Sequence, residues 1–127
     1  LSQRYRTNYA QRLTLLIQKI KQMGATPVCI TQPMGYYMVD ASGRVQGIAN
    51  ELYYDVPVNG VDYYYLQQGM DETLRTTASQ QQVPFIDAAH LARWEQADFY
   101  DYVHLTPQGT QKLAEVLYPE LERVMGR

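Results

Sequence analysis

The sequence is poor in the residues that tie small folds together covalently. It has one cysteine, Cys29. A lone thiol closes no internal disulfide, so a disulfide-stapled scaffold is excluded and the chain must hold itself together by burial. Cys29 lies in an apolar run and reads as a core thiol rather than a reactive one. A surplus of either charge is also lacking: 11 Lys and Arg stand against 13 Asp and Glu, a formal net charge of −2. That balance gives no reason to expect nucleic acid or an anionic membrane surface as a partner. No apolar run reaches the length of a transmembrane helix, and no signal peptide is visible. The chain starts at Leu1 rather than Met, from which we expect that an upstream part has been removed or lies outside this sequence. Phenylalanine and tryptophan are scarce, two and one, whereas tyrosine is abundant at 12.

The 127 residues, 46% of them hydrophobic, suit one small domain. Residues 5–23 read as a helix, with Leu13, Leu16, Ile17 and Ile20 on one face and Gly24 placed to end it. The β-branched run around Val28, Cys29 and Ile30, set between Pro27 and Pro33, reads as a short buried strand. Residues 34–62 are rich in glycine and turn signals and read as a long loop. Strand-like pieces at 36–39 and 44–48 can pair there as a hairpin. A second helix is expected over 63–82, with Leu66, Met70, Leu74 and Ala78 as its stripe. A second strand follows over 83–87, then a connecting segment with helical character around 90–95. The last helix spans 107–125, and Pro119 predicts a kink or break near Tyr118.

Two strands separated by a helical crossover are most simply parallel neighbours, which makes the class α/β. Two parallel strands are too few for a stable sheet, yet three helices carry apolar stripes. The chain therefore reads as part of a larger sheet, with an open edge and an apolar face that require a partner.

The richest local pattern is Asp101-Tyr102-Val103-His104-Leu105-Thr106-Pro107-Gln108-Gly109. Thr106 can cap a helix and Pro107 suits its first position, so Asp101 and His104 fall in a tight loop feeding that helix. A carboxylate on one imidazole nitrogen fixes the tautomer and leaves the other nitrogen as a base. This nine-residue block and the amphipathic helix after it resemble the last conserved block of the SGNH (GDSL-type) hydrolases. Thr31-Gln32-Pro33 resembles the strand end and loop that follow the third block of that family.

The resemblance implies that residues 1–127 are the C-terminal portion of a single SGNH-hydrolase-like domain. It also implies a partial flavodoxin-like three-layer sandwich with two parallel strands, three main helices and no N-terminal strands. His104 would be general base to a serine, Asp101 would orient it, and the substrate would be a small-molecule or glycan ester. Neither cofactor nor metal is implied. The Gly-Asp-Ser block that bears the serine is missing, as are the Gly and Gly-x-Asn-Asp blocks of the oxyanion hole. The chain alone is therefore expected to be inactive. It is expected to pack against a missing N-terminal half or to self-associate.

Ser2, Ser42 and Ser79 do not sit at a sharp strand-to-helix turn, so none is expected to be a nucleophile. Asp87 ends a strand and reads first as a helix cap or turn residue. His90 could make a metal-binding pair with Asp87 or His104, but close zinc-type spacing is missing. Tyr36 and Tyr37, just after the first strand, are candidates to border a substrate cleft. The competing reading is a non-catalytic SGNH-like binding module with a tyrosine-rich loop, or a self-associating homodimer.

Overall fold

The computed structural model describes residues 2–126. It is a mixed α/β chain with four α-helices among the described residues and small sheets of both kinds. The chain divides into two compact units. One comprises the chain up to Thr31 together with Leu66–Ile86, and the other Gln32–Tyr65 together with the chain from Asp87.

The first unit holds α1 (Gln3–Gln22), β1 (Cys29–Ile30), β6 (Phe85–Ile86) and the larger part of α2 (Gly60–Gln80). Gly24, at φ +81°, follows α1 in the left-handed conformation open to glycine. β1 and β6 pair in parallel, Cys29 opposite Phe85 and Ile30 opposite Ile86. The ladder begins at Pro84, whose carbonyl accepts from the Cys29 N–H, so the proline ring sits where no N–H is required of it. Ile17, Cys29, Leu74, Ala78 and Val83 make the core, with Leu13 and Phe85 packed against them. Burial raises the Cys29 thiol pKa, as suits a core thiol. The α1 stripe is narrower than its periodicity predicts: Ile17 is buried, but Leu16 is 57% exposed and its neighbour Leu15 66%.

The second unit replaces the expected long loop with two antiparallel hairpins. β2 (Tyr37–Val39) pairs with β3 (Val45–Gly47), close to the expected hairpin. Asp40 organises its turn by accepting from the Ser42 and Arg44 N–H groups and the Ser42 hydroxyl. β4 (Asn50–Tyr53) and β5 (Val56–Asn59) form the second hairpin, around Tyr54 and Asp55. Both of these have positive φ, 48° and 63°, as a two-residue primed turn requires. Asn59-Gly60, which reads as a turn, instead opens α2. The Asn59 side chain accepts from the Val61 and Asp62 N–H groups, and Asp62 accepts from the Asn59 N–H, a reciprocal cap. Only glycine fits at Gly60, because a Cβ there would overlap the Tyr36 carbonyl oxygen.

α3 (Ala88–Leu91) is a single turn, earlier than the helical character expected around 90–95, and a 3-10 turn follows at Gln96–Asp98. α4 (Pro107–Val124) runs without a break through Pro119. The expected break does not occur. A proline costs one backbone hydrogen bond and a local clash. Here partly buried Leu113, Val116, Leu117 and Leu121 lie on both sides of it. Thr106 caps α4, its Oγ1 accepting from the Gly109 N–H at 3.2 Å, and Pro107 takes the first position as expected.

Asp98 anchors this part of the chain. Its side chain is fully buried and accepts from Lys112 Nζ, Gln108 Nε2 (3.1 Å) and the Glu95 N–H (2.8 Å). Burial alone would raise this carboxyl's pKa, but the bonds from Lys112, Glu95 and Gln108 outweigh it and bring it below the ordinary value. The backbone carbonyl of Asp98 accepts from the Thr106 N–H at 2.9 Å, and a Cβ at Gly109 would overlap that carbonyl. Breaking a buried pair leaves an uncompensated charge, so Asp98→Ala is expected to destabilise the chain by about 3 kcal/mol. This is the low end for such pairs, because the Lys112 side chain is 26% exposed. Chemical denaturation checks it, and a change below about 0.5 kcal/mol would remove Asp98 as an anchor.

Candidate active site

The loop between Asp98 and Thr106 carries the Asp101–His104 pair. Phe99 and Leu105 bridge across its base, and the Tyr100 N–H donates to the His104 carbonyl at 2.8 Å. Asp101 sits at the tip. Its Oδ1 accepts from the Val103 and His104 N–H groups at 2.7 and 2.8 Å. Its Oδ2 lies 2.7 Å from His104 Nδ1. One carboxylate thus closes the turn with one oxygen and engages the imidazole with the other. The pair is open to solvent, with the side chains 77% exposed for His104 and 54% for Asp101.

These contacts hold the Asp101 carboxyl down to about 2. The largest cause is the His104 backbone N–H, then the His104 side chain, then the Val103 N–H. Asp101 is therefore an anion at neutral pH and can only accept, so the facing Nδ1 carries the proton. Nε2 is then the basic nitrogen, the arrangement a general base needs.

Tyrosines surround this loop. Tyr36 is stacked between Tyr63, at 4.0 Å between ring centroids, and Tyr102, at 4.9 Å. Tyr102 lies between Asp101 and His104 in sequence, and its carbonyl accepts from the Gly35 N–H at 2.9 Å. Burial raises the Tyr36 phenol pKa, helped by the charges of Glu51 and Asp101. Tyr63 donates to Glu51 Oε2 at 3.3 Å. Tyr37 goes elsewhere. Its ring meets Tyr64 edge to face at 5.1 Å. Adjacent residues of an extended chain project to opposite sides, so Tyr36 and Tyr37 do not act as a pair. Tyr36 is brought to the Asp101–His104 loop through Tyr102, and Tyr37 packs against Tyr64.

A second pair repeats the first. Asp87 stands just before α3, yet its side chain does not cap that helix. Its Oδ1 lies 2.8 Å from His90 Nδ1. The signal was present in the sequence, since Asp87-Ala88-Ala89-His90 has the same Asp-x-x-His spacing as Asp101-Tyr102-Val103-His104. Among the described residues no three His, Cys, Asp or Glu side chains gather as a metal site would require. The Ser42 hydroxyl is committed to Asp40 at 2.6 Å.

The carboxylate contacts carry a pH dependence. A depressed carboxyl pKa adds stability that is fully present above the ordinary value of about 3.9 and is lost as pH falls through about 2. Carboxyl-carbon NMR should place the Asp101 titration near 2. In His104→Ala it should move part of the way up and stay below the ordinary value, because both backbone donors remain. A complete return to the ordinary value would show that the imidazole alone sets it.

No family model, no curated protein and no solved structure matches this chain.

Proposed function

We propose that this chain carries the histidine and aspartate of a serine ester hydrolase of the SGNH type. One observation carries the reading: Asp101 Oδ2 lies 2.7 Å from His104 Nδ1 in a loop that leads into a threonine-capped, proline-started helix. A serine from outside these residues attacks the carbonyl carbon of an ester. His104 Nε2 takes the hydroxyl proton and passes it to the leaving alcohol, and Asp101 holds the ring and balances the imidazolium. Water then hydrolyses the acyl-enzyme with the same histidine as base. The substrate is a small-molecule or glycan ester.

In the same reading β1 and β6 are neighbouring strands of a larger parallel sheet in a flavodoxin-like sandwich. Their two-residue ladder and the exposure of Leu15, Leu16 and Ile30 support a partner surface there, whether an N-terminal half or a second copy.

A second reading, a non-catalytic binding module, is favoured by the β4–β5 hairpin. Its tip carries Leu52, Tyr54 and Val56 at 72%, 86% and 59% exposure. Apolar groups held that far into water suit a protein contact.

Hydrolysis of a short p-nitrophenyl acyl ester separates the two. The chain alone should be inactive. A longer product of the same reading frame, bearing a Gly-Asp-Ser serine, should be active, and His104→Ala should lower its kcat/KM by about 10⁴-fold or more. Activity unaffected by His104→Ala would refute the dyad. Activity in neither form would favour the binding module.

A further inference from the structure

A cavity of about 760 Å³ is lined by two stretches of the second unit. One is the β2–β3 hairpin with its turn, within residues 38–48, and the other is residues 93–96. Among the described residues, neither Asp101 nor His104 lines it. Its apolar lining is substantial: Met38, Val39, Val45 and Ile48 are half-buried, and Trp94 is buried.

We propose that this cavity binds a free α-amino acid with an apolar side chain, its carboxylate taken by Arg93 and its ammonium by Asp40. Charge selects this class of ligand. The lining carries two guanidiniums, Arg44 and Arg93, and two carboxylates, Asp40 and Glu95. Both arginines are exposed, and among the described residues no ion pair or side-chain hydrogen bond engages either guanidinium. An unanswered guanidinium is matched best by a carboxylate, which it can hold through two parallel bonds. Arg44 already lies within the field of Asp40, and Arg93 comes from the other stretch, so Arg93 is the one assigned the carboxylate. Asp40 supplies the opposite pole. Its Oδ1 accepts from the Ser42 hydroxyl at 2.6 Å and from the Ser42 and Arg44 N–H groups at 2.8 and 3.0 Å. These bonds, the Ser42 hydroxyl's first, hold the carboxyl pKa below the ordinary value, so Asp40 is an anion at neutral pH. Oδ2 accepts none of them, which leaves that oxygen for a cationic donor.

A ligand of one sign fits this lining poorly. A simple anion at Arg93 shares the cavity with the carboxylates of Asp40 and Glu95, and a simple cation at Asp40 shares it with Arg44 and Arg93. A molecule that carries both signs at one end avoids both repulsions, and its apolar end covers the half-buried aliphatic residues. The volume is ample, since about 150 Å³ of apolar cavity already accepts benzene. The lining is also fixed before a ligand arrives. The Trp94 Nε1–H is tied to the Ala88 carbonyl at 3.3 Å, Lys112 Nζ lies 5.7 Å from the indole centroid, and the Glu95 N–H donates to Asp98 Oδ2 at 2.8 Å.

Trp94 is the only tryptophan in the chain, so its emission, excited beyond the tyrosine band, reports on this lining. Leucine titrated into the whole chain at neutral pH should change that emission saturably, and the amide NMR signals of Val45 and Gln96 should move with the same midpoint. Three analogues each remove one feature: 4-methylpentanoate the ammonium, 3-methylbutylamine the carboxylate, and glycine the apolar tail. Each should bind about tenfold more weakly or worse. Asp40→Asn keeps the Oδ1 acceptor of the turn and should erase the preference for leucine over 4-methylpentanoate. Arg93→Gln should erase the preference for leucine over 3-methylbutylamine. His104→Ala should leave binding intact, with circular dichroism confirming that each variant folds. Absence of saturable leucine binding by both readouts would overturn the proposal. So would an analogue that binds the native chain as well as leucine does, a preference that survives in its variant, or loss of binding in His104→Ala.

Discussion

A buried carboxylate fixes the candidate site. Asp98 has no exposed side-chain surface, so its negative charge must be answered inside the fold. Lys112 and Gln108 answer it from the first turns of α4, and the Glu95 N–H answers it from the 3-10 turn. The same residue's carbonyl takes the Thr106 N–H, and Thr106 Oγ1 reaches the Ala97 carbonyl at 2.9 Å. The chain is thus clamped on both sides of residues 99–105. A short loop with fixed ends has few conformations left, and Asp101 removes more by holding two backbone N–H groups. The imidazole meets its carboxylate because the ends of the loop allow little else.

The tyrosines add a second restraint of a different kind. Aromatic faces in contact are worth about 0.5–1.5 kcal/mol per pair beyond their burial, so the Tyr63–Tyr36–Tyr102 stack is a modest but directional contribution. It reaches the Asp101–His104 loop through Tyr102 and the two hairpins through Tyr36. The Tyr36 carbonyl accepts from the Ile48 and Ala49 N–H groups, and the missing Cβ of Gly60 leaves room for it. The two hairpins, of which only the first was expected, therefore serve as a frame for the site. Tyr37 leaves that frame on the other side, towards Tyr64.

Much of this was legible in the residues, for reasons that can be named. The three long helices carry apolar stripes, β1 lies between Pro27 and Pro33, and Thr106-Pro107 announces the start of α4. The Asp101–His104 contact followed from spacing in a loop that precedes a cap. The β4–β5 hairpin was not legible, because its turn uses Tyr54 and Asp55 at positive φ where glycine or asparagine is the usual signal. Asn59-Gly60 misled in the opposite sense, since cap and turn use the same residue types and only the reciprocal bond from Asp62 distinguishes them. Pro119 was read as a kink or a break, and the helix continues through it without a break. Asp87–His90 repeats a visible spacing, but its pairing depended on the start of α3, which was expected further along.

The central claim is that Asp101 is an anion that places the proton of His104 on Nδ1 and so leaves Nε2 basic. Nitrogen-15 NMR of the labelled chain, at alkaline pH where the ring is neutral, reads the tautomer directly. The account predicts that Nδ1 of His104 bears the proton and that Asp101→Asn reduces this preference. A neutral His104 protonated at Nε2, with Nδ1 bare beside Asp101, would contradict it.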